Sequence, residues 1–138
     1  MPTSTVRPGF SALSPYLIFR DARKAIDFYR AALGAVEISC HADASGAVMH
    51  AEMRVDDSTF MLVSENSKFD FMRSVEAMGG SPVHFFLYVH DVDARYQQAI
   101  DAGAKVLMPV AEQPYGRSGG FTDPFGHTWW LSTHKEPG

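Results

Sequence analysis

The chain is short of the features that mark several large protein classes. It has a single cysteine, Cys40. One thiol makes no internal disulfide, so the fold must rest on its own core, and a reducing cytoplasm is the expected compartment. Lysine and arginine total 12 against 16 acidic residues, a net charge of −4. That balance offers no basic face to track phosphates, and nucleic acid is not expected as a partner. No apolar run approaches the ~18 residues a spanning helix needs, so no membrane partner is expected. Met1–Leu13 carries no apolar stretch of the kind a secretory signal requires. The sequence also has no Gly-x-Ser-x-Gly elbow, no paired-cysteine zinc pattern and no Lys-Ser/Thr after its glycines to make a phosphate loop. No strand-loop-helix glycine signature for a methyl-donor cofactor is present.

What is present is a single-domain length of 138 residues with an ordinary 46% of apolar residues. It also contains an internal repeat. Tyr16-Leu-Ile-Phe-Arg-Asp21 reads as a strand running into a helix cap. Phe86-Leu-Tyr-Val-His-Asp91 reads the same way. After the first Asp, Ala22, Ile26, Tyr29 and Leu33 share a helical face. After the second, Val92, Tyr96, Ala99 and Ile100 do so. Asp21 and Asp91 are N-cap residues, and Asp93 sits in a first turn that favours negative charge. Each helix stops at Gly-Ala, Gly34-Ala35 and Gly103-Ala104. Strands follow over Val36–His41, Val48–Asp56 and Thr59–Ser64, and again over Lys105–Val110, Gly119–Thr122 and Thr128–Thr133. Asp123-Pro-Phe-Gly126 makes the last hairpin turn.

The expected fold is α+β, one domain over 1–138 built from two βαβββ modules at 14–65 and 82–134. Each is a cupped mixed sheet with a helix on its convex side. Residues 66–81 form the linker, whose Phe69, Phe71, Met72 and Met78 suggest a short packed helix, a dimer contact or a lid. The first dozen residues and the last four are expected to be loose.

Strand alternation sorts the side chains by face. Val83, Phe85, Leu87 and Val89 suit the second helix, leaving His84, Phe86 and Tyr88 opposite. Met49, Ala51, Met53 and Val55 suit the first, leaving His50, Glu52 and Arg54. Leu17 and Phe19 leave Ser14, Tyr16 and Ile18. A mostly apolar concave face with a few convergent polar groups is how a small-molecule pocket reads. A solvated polar stripe is the plainer account of Glu52 and Arg54.

These residues carry a recognisable pattern. Pro15-Tyr-Leu-Ile-Phe19, Ala25-Ile-Asp-Phe-Tyr29, Leu33-Gly-Ala35, Met49-His-Ala-Glu52, Asp91-Val-Asp93, Ala102-Gly-Ala104 and Asp123-Pro-Phe-Gly-His127 resemble the vicinal oxygen chelate (glyoxalase/bleomycin-resistance/dioxygenase) superfamily. More narrowly they are similar to its PhnB-like branch. The resemblance runs from about Ser14 to His134. It implies a homodimer, and, in the family's metalloenzymes, a divalent metal held by His or Glu from the first and last strand of each module. Carried onto this chain, the four positions are Ser14, Leu62, His84 and Trp130. Only His84 is a metal-ligand type, and a catalytic divalent ion usually needs about three protein ligands. No metal or other cofactor is therefore expected, although His50 and Glu52 could in principle substitute from a neighbouring strand.

The expected site is a ligand cup lined by Tyr16, Phe60, Leu62, His84, Phe86, Tyr88, Arg117 and Trp130. Its apolar bulk suits a flat or apolar ligand. His84 and His50, with Glu52, are the candidate catalytic groups near neutral pH. Arg117, in Tyr115-Gly-Arg117-Ser-Gly-Gly120, could meet an anionic group or lie on the surface. The PhnB-like branch has a Gly-Asp-Arg-type loop there, and its Asp is missing here. Cys40 reads as a small buried hydrophobe in a strand, and His127 as a turn or surface residue. Two functions follow: a binder of a small apolar or aromatic molecule without the family metal, or a metal-dependent lyase, isomerase or dioxygenase. Whether the chain is an enzyme is left open by the residues.

Overall fold

A computed structural model describes residues 5–134. The C-terminal four residues, expected to be loose, lie outside the described range. The element order is β1 (Tyr16–Phe19), α1 (Ala22–Leu33), β2 (Val36–Ala42), β3 (Val48–Val55), β4 (Ser58–Ser64), α2 (Val75–Met78), β5 (His84–Tyr88), α3 (Val92–Asp101), β6 (Lys105–Gln113), β7 (Gly116–Thr122) and β8 (Thr128–His134). The fold is α+β, with two mixed sheets of βαβββ architecture. The strand orders are β1-β4-β3-β2 and β5-β8-β7-β6, with β1–β4 and β5–β8 parallel. The repeat in the sequence is thus a repeat of topology. The chain divides into two compact units. One ends at Arg30 and resumes from Gly34 to Ser74, and the other takes Ala31–Leu33 and the chain from Val75.

Local chemistry sets the helix ends. Asp21 Oδ1 accepts from the Arg23 amide at 3.1 Å, and Asp91 Oδ1 accepts from Ala94 at 3.2 Å. Helix α1 closes at Gly34, whose φ of 66° is a left-handed conformation that costs glycine nothing. The face of α1 read from the sequence is the buried one: Ala22, Ile26 and Tyr29 are fully covered. The Tyr29 ring meets Phe19 at 6.0 Å and Phe60 at 5.5 Å, both edge-on. In the second unit Val92, Tyr96 and Ala99 are the buried residues of α3. The Tyr96 hydroxyl lies 2.9 Å from the Gly120 carbonyl oxygen and 3.1 Å from that of Met108. A Cβ at Gly119 would come within 2.8 Å of Val110 and 3.1 Å of Tyr96, so this close approach of helix to sheet needs glycine.

Two expectations about the chain are corrected. Met49 does not join the helix-facing set. Ala42 pairs with Val48 and His41 with His50, so Met49 is the extra residue of a β-bulge and points to solvent. Of the first dozen residues, expected to be loose, residues 1–4 lie outside the described range, and the rest include a contact to the sheet. Residues 5–13 form no helix or strand, but Arg7 reaches the sheet and pairs with Glu52.

Candidate functional site

In each unit the helix covers one sheet face, and the candidate site residues divide between the two faces. In the first unit Tyr16, Met61, Glu52 and Ser39 form one row across all four strands, through the pairs Tyr16–Met61, Glu52–Met61 and Ser39–Glu52. Glu52 is almost completely buried. Its Oε1 accepts from Ser39 Oγ at 2.5 Å, and Oε2 pairs with Arg7 Nη1 and lies 3.4 Å from His50 Nε2. The guanidinium, with help from Ser39 and His50 and against the cost of burial, holds the Glu52 carboxyl down at about 2. Glu52 is therefore a fixed anion at neutral pH. The His50 ring stands 6.1 Å from that of Tyr16.

Phe60 and Leu62 are on the other face. Phe60 packs edge-on to Tyr29 of α1, and Leu62, two residues on, is fully buried in the same layer. Ser64 completes the alternation by accepting from the Ala22 amide at 3.0 Å. Their expected place in the ligand cup is corrected: they are core residues under the helix.

The first unit also holds a cavity of about 480 Å³ that borders Tyr16. Its apolar walls are Tyr16, Met49, Val63, Phe69, Phe71 and Met72, and Lys68 also lines it. The segment that closes it is not a helix. Asn66 Oδ1 accepts from the Lys68 amide at 3.0 Å, and the Phe69 and Met72 amides donate back to the carbonyls of Asn66 and Phe69, each at 3.0 Å. Glu65 clamps its far end by accepting from the Ser74 amide at 2.9 Å. The apolar spacing of Phe69, Phe71 and Met72 was the visible signal. The bulge that turns Met49 into this wall had none in the sequence.

In the second unit Phe86 pairs with Trp130, which pairs with Gly120. His84 and Tyr88 flank Phe86 on the same face. His84, Phe86 and Tyr88 are all exposed, and Tyr115 stands 6.5 Å from Phe86. Trp130 lies flat on the sheet because Gly120 has no side chain: a Cβ there would be 2.6 Å from Trp130 Cε3 and Cζ3. The neighbouring Trp129 points the opposite way into the core, its Nε1 donating to Asp123 Oδ2 at 3.0 Å.

Trp130 Nε1 donates to His84 Nδ1 at 3.1 Å. An indole nitrogen only donates, so Nδ1 must be the accepting nitrogen of a neutral imidazole and Nε2 carries the hydrogen. A metal-bound histidine shows the reverse pattern, donating through the nitrogen that does not ligate. Of the other positions that the resemblance implies, Leu62 is buried under α1, Trp130 supplies no lone pair and Ser14 offers only a hydroxyl, a poor ligand. Among the described residues no grouping of three or more His, Cys, Asp or Glu side chains could hold a metal ion. This donor set does not fit the divalent metal of the family's metalloenzymes.

Two further readings are corrected. Arg117 lies on the strand face opposite Ser118 and makes a bidentate pair with Asp93 of α3, at 2.7 and 2.9 Å, with Glu112 at 3.4 Å. Its charge is matched by acids of its own chain rather than offered to an anionic ligand. His127 is a residue of the Asp123 turn, but it is buried rather than on the surface. It sits against Phe85 at 5.8 Å, and the Asp123 turn accepts its amide at 3.0 Å. Burial pushes its imidazole pKa down.

Comparison with known proteins agrees with this architecture. The model of the Glyoxalase/Bleomycin resistance protein/Dioxygenase superfamily matches residues 12–131. An uncharacterized protein of Mycobacterium tuberculosis is 42% identical over 123 residues, 87% of this chain and 72% of its own. An Arabidopsis thaliana gene product of known structure superposes with a TM-score of 0.67 at 27% identity, over 89% of this chain and 98% of that one. The PhnB protein of Bacillus cereus superposes with a TM-score of 0.70 at 18% identity, over 89% of this chain and 99% of that one.

Proposed function

The chain belongs to the Glyoxalase/Bleomycin resistance protein/Dioxygenase superfamily, and from that premise we propose that it binds a small, flat apolar or aromatic molecule without the metal of the family's metalloenzymes. The ligand lies on a sheet face turned away from the helix of its unit. The observation that carries this reading is the Trp130–His84 hydrogen bond. It engages an indole at a position that the resemblance assigns to a metal ligand and makes His84 an N–H donor through its other nitrogen. Around it Phe86, Tyr88 and Trp130 form a stacking platform. His84 Nε2–H supplies one directional contact to an acceptor on the ligand.

A thermal-shift screen of planar aromatics against metal-free protein tests the reading. Ligands should raise the midpoint in a concentration-dependent way and be recovered unchanged. They should also quench Trp130 fluorescence relative to a Trp130→Phe variant. A stoichiometric divalent metal in protein purified without tag or chelator would overturn the metal-free assignment.

We further propose a homodimer in the cytoplasm. Val106, Leu107 and Met108 are exposed on the edge strand β6, and open apolar edges favour being covered. Light scattering should return twice the monomer mass. None of the described helices is long and apolar enough to cross a membrane.

A further inference from the structure

Glu52 is a carboxylate set into a sheet, and a buried charge of that kind needs a cation. The neighbouring strand residues offer it a hydroxyl, Ser39, and an imidazole, His50. The cation comes from Arg7, in a segment without helix or strand, 45 residues away along the chain. The two partners differ in access: the Glu52 side chain is 3% exposed and that of Arg7 is 60%. The carboxylate is therefore built in, and the cation approaches it from the solvent side. The guanidinium carbon sits 4.4 Å from the centroid of the Phe10 ring, which covers it as an aromatic surface covers a bound cation. Ser39 and His50 hold the carboxylate from the sheet side. Along the same strand row stands Tyr16, which also borders the 480 Å³ cavity.

We propose that Glu52 is the recognition point for a cationic group, an amidinium, guanidinium or ammonium, carried by an aromatic small molecule, and that Arg7 occupies this point as a built-in competitor in the free protein. This inference extends the small-molecule reading and rests on it. The ligand's ring would lie against Tyr16 toward the cavity, and its cation would replace the Arg7 guanidinium on Glu52 and Ser39. Displaced, Arg7 remains solvated, so the exchange leaves no buried charge unpaired.

The test uses benzamidine and its neutral counterpart benzamide, titrated by calorimetry or by NMR chemical shift. A competitor that holds the site nine-tenths of the time weakens the apparent affinity by about tenfold. Arg7→Met should therefore tighten benzamidine by about that factor and leave benzamide unchanged. In Arg7→Met/Glu52→Met, where apolar groups of similar volume replace both charges, the gain should vanish. Glu52→Gln alone should also abolish benzamidine binding, and the double variant secures the result if the single one folds poorly. No gain in Arg7→Met, an equal gain for benzamide, or a gain that persists in the double variant would each overturn the proposal. Binding of neutral planar aromatics to the wild-type protein is read separately. Its failure sinks the small-molecule reading, whereas failure of the benzamidine arm alone sinks only the cation site.

Discussion

The indole N–H of Trp130 and the Nδ1 of His84 form a 3.1 Å hydrogen bond between neighbouring parallel strands. The bond uses the only lone pair that the neutral imidazole has, and that decides what His84 can do. It donates through Nε2 to an acceptor and does not ligate a metal.

Trp130→Phe keeps an aromatic ring on the sheet but removes the donor. Nitrogen-15 NMR of the imidazole should show Nδ1 unprotonated in the wild type and a mixed tautomer in the variant. The lost bond should cost about 0.5–1.5 kcal/mol of stability. A wild-type spectrum with Nδ1 protonated would refute the assignment of His84 as an Nε2–H donor.

Gly120→Ala should displace the platform itself. The new Cβ would stand 2.6 Å from Trp130 ring atoms, closer than any packed carbon pair. The strand or the indole must move, at a cost typical of overpacking, about 1–3 kcal/mol. The denaturation midpoint should fall, and aromatic ligands that quench Trp130 should bind more weakly. Unchanged binding would show that the flat seating of Trp130 is irrelevant to the ligand.

Much of this was legible in the sequence because alternation and repetition are local. The repeat of Tyr16–Asp21 in Phe86–Asp91 predicts the matched sheets, and period-two alternation sorts His84, Phe86 and Tyr88 away from the core. Alternation fails where a strand changes phase. A bulge between the pairs Ala42–Val48 and His41–His50 re-aims Met49, and no residue type announces it. Phe60 and Leu62 were misplaced for a related reason. The run Phe60–Val63 is all apolar, with no polar residue to mark its faces, and Tyr29 packed on Phe60 reveals them. The Arg7–Glu52 pair joins residues far apart in sequence, so no spacing rule could find it.

Arg117→Ala separates the surface reading of that residue from a ligand-binding one. Its guanidinium is engaged by Asp93 and Glu112 in an exposed cluster, and exposed pairs contribute little. Anionic and neutral aromatic compounds should bind the variant as they bind the wild type. A selective loss of anionic ligands would restore Arg117 to the site.

Stability should fall with acid in two separable steps. The His127 pKa is depressed by burial, so the unfolded chain binds more protons than the folded one near neutrality. Its contribution is full above the unfolded histidine value of 6.5 and is lost as pH falls below that toward the folded value. Glu52 acts lower. Its pKa drops from 4.5 to about 2 on folding, chiefly through Arg7. That stabilisation is complete above 4.5 and disappears as pH falls toward 2. Urea denaturation at a series of pH values should resolve both steps. His127→Gln should remove the upper one and leave the lower, while Arg7→Met should shrink the lower one and leave the upper. A lower step of unchanged size in Arg7→Met would mean that the guanidinium is not what keeps Glu52 ionised.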